Sequence, residues 1–107
     1  MASYSDIEAT DLYELIAKKK ILLVDVRNDD EVAKGIIAGA THVQLSLLLA
    51  HYESLNTDLP IVFYCHSGVR SAHAAAFVCS KGCTNVYNLT GGVLAWGRAG
   101  YPFATKS

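Results

Sequence analysis

The sequence predicts an α/β domain with a largely parallel sheet, because strand-like and helix-like stretches alternate along the chain. Residues 21–24 (ILLV) and 61–64 (IVFY) are continuous apolar runs without polar alternation, a pattern typical of strands covered on both faces. In such sheets ligands usually bind beyond the carboxyl ends of the strands. Cys65 follows the second run directly, so it is expected to lie at that edge.

Helical patterns fill the first half of the chain around these strands. Thr10 is expected to cap a helix over residues 11–20, since an acidic first turn follows it and apolar positions share one face. Asn28 and Glu31 have the spacing at which a cap residue and a glutamate satisfy free amides reciprocally, which predicts a capped helix start. Residues 45–52 are a further candidate helix.

The second half predicts two more helices separated by a strand. Residues 71–79 are alanine-rich and lack glycine and proline, which favours a helix that Gly82 ends. Residues 85–89 are typical of a short strand. Gly91 and Gly92 then open a last short helix, which residues 100–102 (GYP) stop.

Composition and charge bound the possible functions. The chain has 107 residues, of which 51% are apolar, so one domain over residues 1–107 is expected. The formal net charge of −1 provides no broad positive field, so neither nucleic acid nor a membrane surface is an expected partner. The N-terminus lacks the pattern of a secretory signal, and no apolar run is long enough to cross a bilayer. These features predict a cytoplasmic monomer.

The three cysteines, Cys65, Cys79 and Cys83, argue against a disulfide framework and suit a reducing compartment. Cys79 and Cys83 are separated by three residues, and they are interpreted as small buried apolar residues rather than a redox couple. The four histidines show no spacing typical of zinc ligands. No metal and no cofactor are therefore expected.

Residues 65–70 (CHSGVR) connect a predicted strand to a predicted helix and carry the strongest functional signal. Successive backbone amides in such a connection can form a concave nest for an anion, and the following helix adds its positive end. Gly68 permits a backbone conformation that a side chain would hinder. Arg70 brings a planar cation, and Ser71, at the expected helix cap, adds a hydroxyl.

The same groups would stabilise the thiolate of Cys65 relative to the thiol. The sequence therefore predicts a largely ionised Cys65 that attacks as a nucleophile and forms a covalent intermediate. The alternative, that Cys65 is only the last buried residue of a strand, does not account for the glycine, the arginine and the helix start that follow it.

Four segments in this order resemble the rhodanese family, the thiosulfate sulfurtransferases, over nearly the whole chain as a single-domain member. Residues 24–27 (VDVR) with Glu31 resemble its Asp-x-Arg signature, and residues 35–40 (GIIAGA) stand where a Gly-His-Ile-Pro-Gly-Ala segment is usual. Residues 65–71 are similar to its catalytic loop. Residues 91–96 (GGVLAW) and 99–102 (AGYP) resemble its closing elements.

The resemblance implies a three-layer fold with a central, mostly parallel five-stranded sheet flanked by helices. It implies that Cys65 accepts the outer sulfur of thiosulfate and that the persulfide then passes this sulfur to cyanide, a thiol or a sulfur-accepting protein. The donor anion would bind to the loop that follows Cys65, whose residues are His66, Ser67, Gly68, Val69, Arg70 and Ser71. Amides of this loop and the Arg70 guanidinium would hold its sulfonate end.

Some positions leave alternatives open. Ile36 and Ala38 replace the usual histidine and proline, changes that are interpreted as structural. Asp25, Arg27 and Glu31 are interpreted as structural too, with Arg27 tied to Glu31 or another acid.

The role of His66 in the loop is undecided between proton donor, tuner of Cys65 and solvent-facing residue. His73 is expected to be an exposed or capping side chain, and Trp96 a core residue.

Two rival functions remain. Cysteine phosphatases and arsenate reductases also hold a thiolate in a nest, but they resemble a cysteine separated by five residues from its arginine, whereas four separate Cys65 from Arg70. A shorter loop makes a smaller cradle. An idle rhodanese-like module that binds a partner protein is disfavoured by the presence of Cys65, although a persulfide carrier with weak turnover on thiosulfate stays possible.

Overall fold

The computed structural model describes residues 3–55 and 58–106. Five strands of the described residues form one sheet, and they are β1 (Ser5–Ile7), β2 (Leu22–Asp25), β4 (Thr41–His42), β5 (Ile61–Tyr64) and β6 (Val86–Leu89). Their order across the sheet is β1-β6-β5-β2-β4, and every neighbouring pair is parallel. Strand β5 therefore lies in the middle of the sheet.

Five α-helices flank this sheet in the described part of the chain, and a 3-10 helix (Tyr52–Leu55) follows the third of them. The α-helices are α1 (Ala9–Lys18), α2 (Asp29–Val32), α3 (Leu45–Ala50), α4 (Val69–Ser80) and α5 (Gly92–Arg98). No helix among the described residues is long and apolar enough to span a membrane.

Side chains along β5 alternate between two hydrophobic cores, as the period of a strand requires. Phe63 and Cys65 lie in the core that includes Leu48 of α3 and Val78 of α4. Val62 and Tyr64 point into the opposite core, which includes Leu12 of α1 and Trp96 of α5. The predicted three-layer α/β architecture with a central parallel five-stranded sheet is confirmed, and both faces of β5 are buried.

Several element boundaries differ from the sequence predictions. The first helix begins at Ala9 with Glu8 as its cap residue, so Thr10 lies inside the helix and does not cap it. The predicted helix over 45–52 ends at Ala50, and a 3-10 helix continues the chain. Helix α4 begins at Val69 rather than at residue 71 and ends before Gly82, whose φ of 99° fits the expected helix stop.

The sequence patterns missed four short strands. Two of them, β1 and β4, form the edges of the parallel sheet. The other two, β3 (Ile36–Ile37) and β7 (Phe103–Ala104), pair with each other in an antiparallel ladder. Ile36 and Ile37 are both buried, so the segment that departs from the family pattern at residue 36 supplies apolar side chains to the core.

Candidate active site

Cys65 lies at the carboxyl end of the central strand β5, at the bottom of the loop that leads into α4. Only 1% of the residue is exposed. Its Sγ accepts hydrogen bonds from the Gly68 N–H at 3.1 Å and from the Ser71 hydroxyl at 3.4 Å. The sulfur is thus shielded from bulk water and faces hydrogen-bond donors, an arrangement that favours negative charge on it.

The pKa of Cys65 lies below its ordinary value because two opposing effects do not cancel. Burial, the largest single contribution, raises the pKa, since it disfavours the thiolate. Hydrogen bonds lower the pKa, and together they outweigh burial; the donors are the Ser71 hydroxyl and the N–H groups of Ser71, Gly68 and Ser67. The direction is the one that the sequence predicts for a nucleophilic cysteine.

The start of α4 builds this set of donors. Gly68 is the residue before the helix and has a φ of 107°, a left-handed conformation in which a side chain would be strained. Its N–H therefore points back at the sulfur. Because the helix starts at Val69, Ser71 lies in the first turn rather than at the cap, and it is fully buried against Cys65.

Arg70 points both of its terminal guanidinium nitrogens at Glu31, 39 positions earlier in the sequence. Nη1 donates to Oε1 at 2.7 Å and Nη2 donates to Oε2 at 2.8 Å. Hydrogen bonding to Arg70 lowers the pKa of Glu31 to about 2, and the N–H of Asn28 adds to this effect. The hydrogen bonds to Glu31 are the main cause of the raised pKa of Arg70, and interaction with Cys65 adds to it. The guanidinium is thus near the thiol and paired with a carboxylate.

Asp25 and Arg27 form a second ion pair behind the loop, next to β5. Arg27 Nε lies 3.1 Å from both oxygens of the fully buried Asp25, and Arg27 Nη2 lies 2.8 Å from Oδ2. Arg27 also donates to the carbonyl of Gly35 at 2.7 Å. Arg27 is therefore paired with Asp25 and not with Glu31. Asp25 and Arg27 are two positions apart at a strand end, so their side chains point to the same side.

Tyr64 joins this pair to the segment that departs from the family pattern. Its hydroxyl accepts a hydrogen bond from the N–H of Ile37 at 3.0 Å. Burial, together with the charge of Asp25 and a hydrogen bond to it, raises the pKa of Tyr64. The phenol is therefore neutral and fixed in place. Residues 25–37 are thus held against the strand that precedes Cys65.

The two glycines that open α5 support the cysteine loop, a role that the sequence patterns missed. Val93 N–H donates to the carbonyl of Cys65 at 3.0 Å, and Leu94 N–H donates to the carbonyl of His66 at 3.2 Å. A Cβ at Gly92 would collide with the carbonyl oxygen of Cys65 and lie 2.6 Å from that of His66. The glycine pair that opens the segment 91–96 is the sequence signal for this close backbone approach.

Asn88 on β6 is another contact that the sequence did not predict. Its Nδ2 lies 3.4 Å from the carbonyl oxygen of Gly68, and the residue is 6% exposed. Its Oδ1 has no hydrogen-bond partner among the described residues. This buried amide therefore contacts the backbone of the cysteine loop.

The remaining predicted site residues separate into two groups. Gly68 and Ser71 face the sulfur, whereas the side chains of His66, Ser67 and Val69 are exposed, Val69 to 75%. The loop thus contributes backbone more than side chains to the cradle. Outside the loop, His73 is exposed, and Trp96 lies in the core with its Nε1 donating to the carbonyl of Pro102 at 2.9 Å, both as predicted.

Cys79 and Cys83 lie away from this cradle, at the far end of α4. Cys79 is buried as predicted, but Cys83 is half-buried. Burial is the largest cause of the raised pKa of Cys79, and Cys83 adds to it. Cys79 is therefore more firmly protonated than an ordinary thiol, in contrast to Cys65.

Comparison with known proteins gives concordant matches over most of the chain. The model of the family described as rhodanese-like domain matches residues 8–99. A sulfurtransferase of Allochromatium vinosum is 35% identical over 99 residues, 92% of each chain. The thiosulfate sulfurtransferase GlpE of Coxiella burnetii is 31% identical over 93 residues, 87% of each chain. The crystal structure of a rhodanese-related protein from Thermoplasma volcanium has a TM-score of 0.88 at 33% identity and covers 96% of this chain and 100% of its own.

Proposed function

The chain belongs to the rhodanese family and is a rhodanese-type sulfurtransferase at the level of that family, and from this premise we propose that it carries sulfur on Cys65. The reaction moves a sulfane sulfur from thiosulfate or a similar donor to a thiophilic acceptor through a Cys65 persulfide. This proposal is supported by the two hydrogen bonds that the Cys65 Sγ accepts from Gly68 and Ser71.

The first half-reaction begins with attack of the Cys65 thiolate on the outer sulfur of thiosulfate. A bond forms between Sγ and this sulfur, the sulfur–sulfur bond of thiosulfate breaks, and its electron pair leaves with sulfite. The product is a persulfide anion on Cys65. The N–H groups of Ser67, Gly68 and Ser71, which favour negative charge on Sγ, would stabilise the charge of the terminal sulfur as well.

The second half-reaction restores the thiolate. Cyanide or a thiolate attacks the terminal sulfur of the persulfide, the bond to Sγ breaks, and the electron pair returns to Cys65. The products are thiocyanate or the persulfide of the acceptor. A sulfur-accepting protein with an exposed thiolate fits the same chemistry, in which case the chain serves as a persulfide carrier with weak turnover on thiosulfate.

Phosphate or arsenate chemistry is the second candidate function, and the loop argues against it. Four residues separate Cys65 from Arg70, and the arginine engages Glu31 with both terminal nitrogens. A phosphoryl or arsenyl group that becomes bonded to Cys65 needs a wider ring of donors around all its oxygens and an arginine that reaches it. In sulfur transfer only one sulfur atom becomes bonded to Cys65, and the sulfonate end of the donor leaves as sulfite.

Further parts of the proposal concern the setting of the reaction. We place the protein in the cytoplasm, where a free low-pKa thiol such as Cys65 stays reduced. One rhodanese-like domain over residues 1–107, acting as a monomer without metal or cofactor, suffices for the chemistry described.

Intact-mass analysis tests the central claim. The purified protein is incubated with thiosulfate, desalted and weighed, and the expected result is the added mass of one sulfur atom, removed again by cyanide. Cys65→Ala should show no added sulfur, whereas Cys83→Ala, which alters the half-exposed cysteine, should behave like the unchanged protein. Sulfur that persists in Cys65→Ala, or is absent from the unchanged protein with every donor, contradicts the proposal.

A further inference from the structure

We propose that Glu31 is a specificity-determining residue that acts through Arg70, so that the site prefers singly charged sulfane-sulfur donors to the doubly charged thiosulfate. The inference rests on the proposed function, since it concerns which donor loads Cys65. It follows from where the charges beside the loop lie.

Arg70 is the cation nearest in sequence to the anion cradle, and its charge is already balanced. Its guanidinium makes two hydrogen bonds of 2.7 and 2.8 Å to the carboxylate of Glu31. Both side chains are partly buried, with 33% and 27% of their area exposed. At this separation the field of the pair falls off as that of a dipole rather than that of a cation.

The second arginine beside the loop is balanced in the same way. Arg27 forms the buried ion pair with Asp25, and it lies close enough to Glu31 to contribute to the low pKa of that carboxyl. The positive charges of the two arginines are thus balanced by the negative charges of two carboxylates. When Cys65 ionises, the thiolate adds one further negative charge.

The short helix α2 adds negative charge on the same side. Besides Glu31, its first turn contains Asp29 and Asp30. Asp29 and Asp30 are exposed, and Asp29 Oδ1 lies 3.7 Å from Nδ1 of His42. A doubly charged donor approaching Cys65 therefore gains little from long-range attraction, and it depends on the loop amides.

A donor with one negative charge escapes most of this repulsion. An organic thiosulfonate, such as methanethiosulfonate, has the same transferable sulfur as thiosulfate, but a carbon replaces one charged oxygen. The Cys65 thiolate attacks its outer sulfur, the sulfur–sulfur bond breaks, and the electron pair leaves with methanesulfinate. Atoms and charge balance without any oxidant. The two donors thus differ mainly by one unit of charge.

The test compares kcat/KM for the two donors in the unchanged protein and in Glu31→Gln, with cyanide as the common acceptor. Freeing the Arg70 charge should raise kcat/KM for thiosulfate by about threefold to tenfold, through KM, and should change the value for methanethiosulfonate by about threefold or less. Glu31→Asp, which keeps the charge, should restore the original preference. The donor ratio is kcat/KM for thiosulfate divided by kcat/KM for methanethiosulfonate. If this ratio is the same in Glu31→Gln as in the unchanged protein, the inference is overturned.

Glu53→Gln is the matched control, because it removes the same charge at an exposed position that lines a different pocket together with Cys83. Its donor ratio should match that of the unchanged protein, and a shift as large as that of Glu31→Gln would assign the effect to net charge alone and overturn the inference.

The dependence of kcat/KM on ionic strength tests the inference in the unchanged protein, so this test does not depend on whether a variant folds. Between about 0.05 and 0.3 M ionic strength, kcat/KM for thiosulfate should stay constant or rise, because salt screens the repulsion between the donor and the ionised site, whose two nearby arginines are paired with carboxylates. A steep fall would contradict the proposal. If the Cys65 persulfide forms with either donor, the proposed function holds whatever the ratio of kcat/KM for the two donors. Failure of the donor preference can therefore be distinguished from failure of the proposed function.

Discussion

The N–H of Val93 donates a hydrogen bond of 3.0 Å to the carbonyl oxygen of Cys65, so the first turn of α5 is bonded to the backbone of the candidate nucleophile. This contact joins two segments that are 28 positions apart in the sequence. It requires the backbones to approach so closely that residue 92, with a φ of 56°, has no room for a side chain. The shape of the cysteine loop therefore depends on the glycine pair at residues 91 and 92.

Gly92→Ala should damage both stability and activity, since its Cβ would collide with the carbonyl oxygens of Cys65 and His66. We expect a loss of about 2–4 kcal/mol in the free energy of unfolding and of more than about tenfold in kcat/KM. Urea unfolding and the thiosulfate–cyanide assay measure the two effects.

Gly100→Ala is the control for backbone strain in this prediction. Gly100 has a φ of 85°, but beyond its neighbours in the chain no atom of the described residues lies within 4 Å of an added Cβ. Gly100→Ala should therefore lose only about 1 kcal/mol in the free energy of unfolding and should retain its activity. Equal losses in the two variants would show that positive φ, and not the collision, is the cause.

Ser71→Ala should raise the pKa of Cys65, because it removes the hydroxyl that donates to Sγ at 3.4 Å. The rate of alkylation by iodoacetamide as a function of pH reports this pKa, and its midpoint should move upward relative to the unchanged protein. Ser80→Ala serves as the control, since Ser80 is exposed at the other end of α4 and bonds the carbonyl of Phe77. If the midpoint in Ser71→Ala does not move, this hydroxyl does not contribute to the low pKa of Cys65.

Arg27→Met should destabilise the protein by about 3–5 kcal/mol, because it leaves the charge of the fully buried Asp25 without its partner. Combining it with Asp25→Asn should recover part of the loss, since no unpaired charge then remains. A double-mutant cycle on urea unfolding measures the coupling between the two residues. Strictly additive losses would mean that the ion pair contributes nothing beyond its two side chains.

The Glu31–Arg70 pair should make stability depend on acid pH. A carboxyl whose pKa falls from 4.5 to about 2 on folding stabilises the folded state fully above pH 4.5, and this contribution is lost as the pH falls toward 2. Partial exposure limits it to about 1 kcal/mol. Unfolding at pH 5 and pH 3 should show a smaller decrease in Glu31→Gln than in the unchanged protein. Equal decreases would assign the acid sensitivity to other carboxyls.

Local sequence patterns predicted the central elements because their signals are short-range. The apolar runs at 21–24 and 61–64 predict the two adjacent central strands within one residue, since full burial on both faces leaves no alternation. The alanine-rich helix after Cys65 is likewise set by local propensity. The edge strands β1 and β4 were missed because a short strand with one neighbour is held by pairing to its partner and has little pattern of its own.

The candidate site divides along the same line. The sequence alone placed Cys65 after a buried strand and before a helix, and it assigned Gly68 and Ser71 to the anion-binding loop, because strand end, turn and helix start are encoded within a few residues. The tertiary structure decided that Arg70 meets Glu31, that Asp25 holds Arg27, and that the turn at Gly91 and Gly92 lies against Cys65. Those contacts join separate strand and helix ends at the carboxyl edge of the sheet, and only the order in which parallel strands pair brings these ends together.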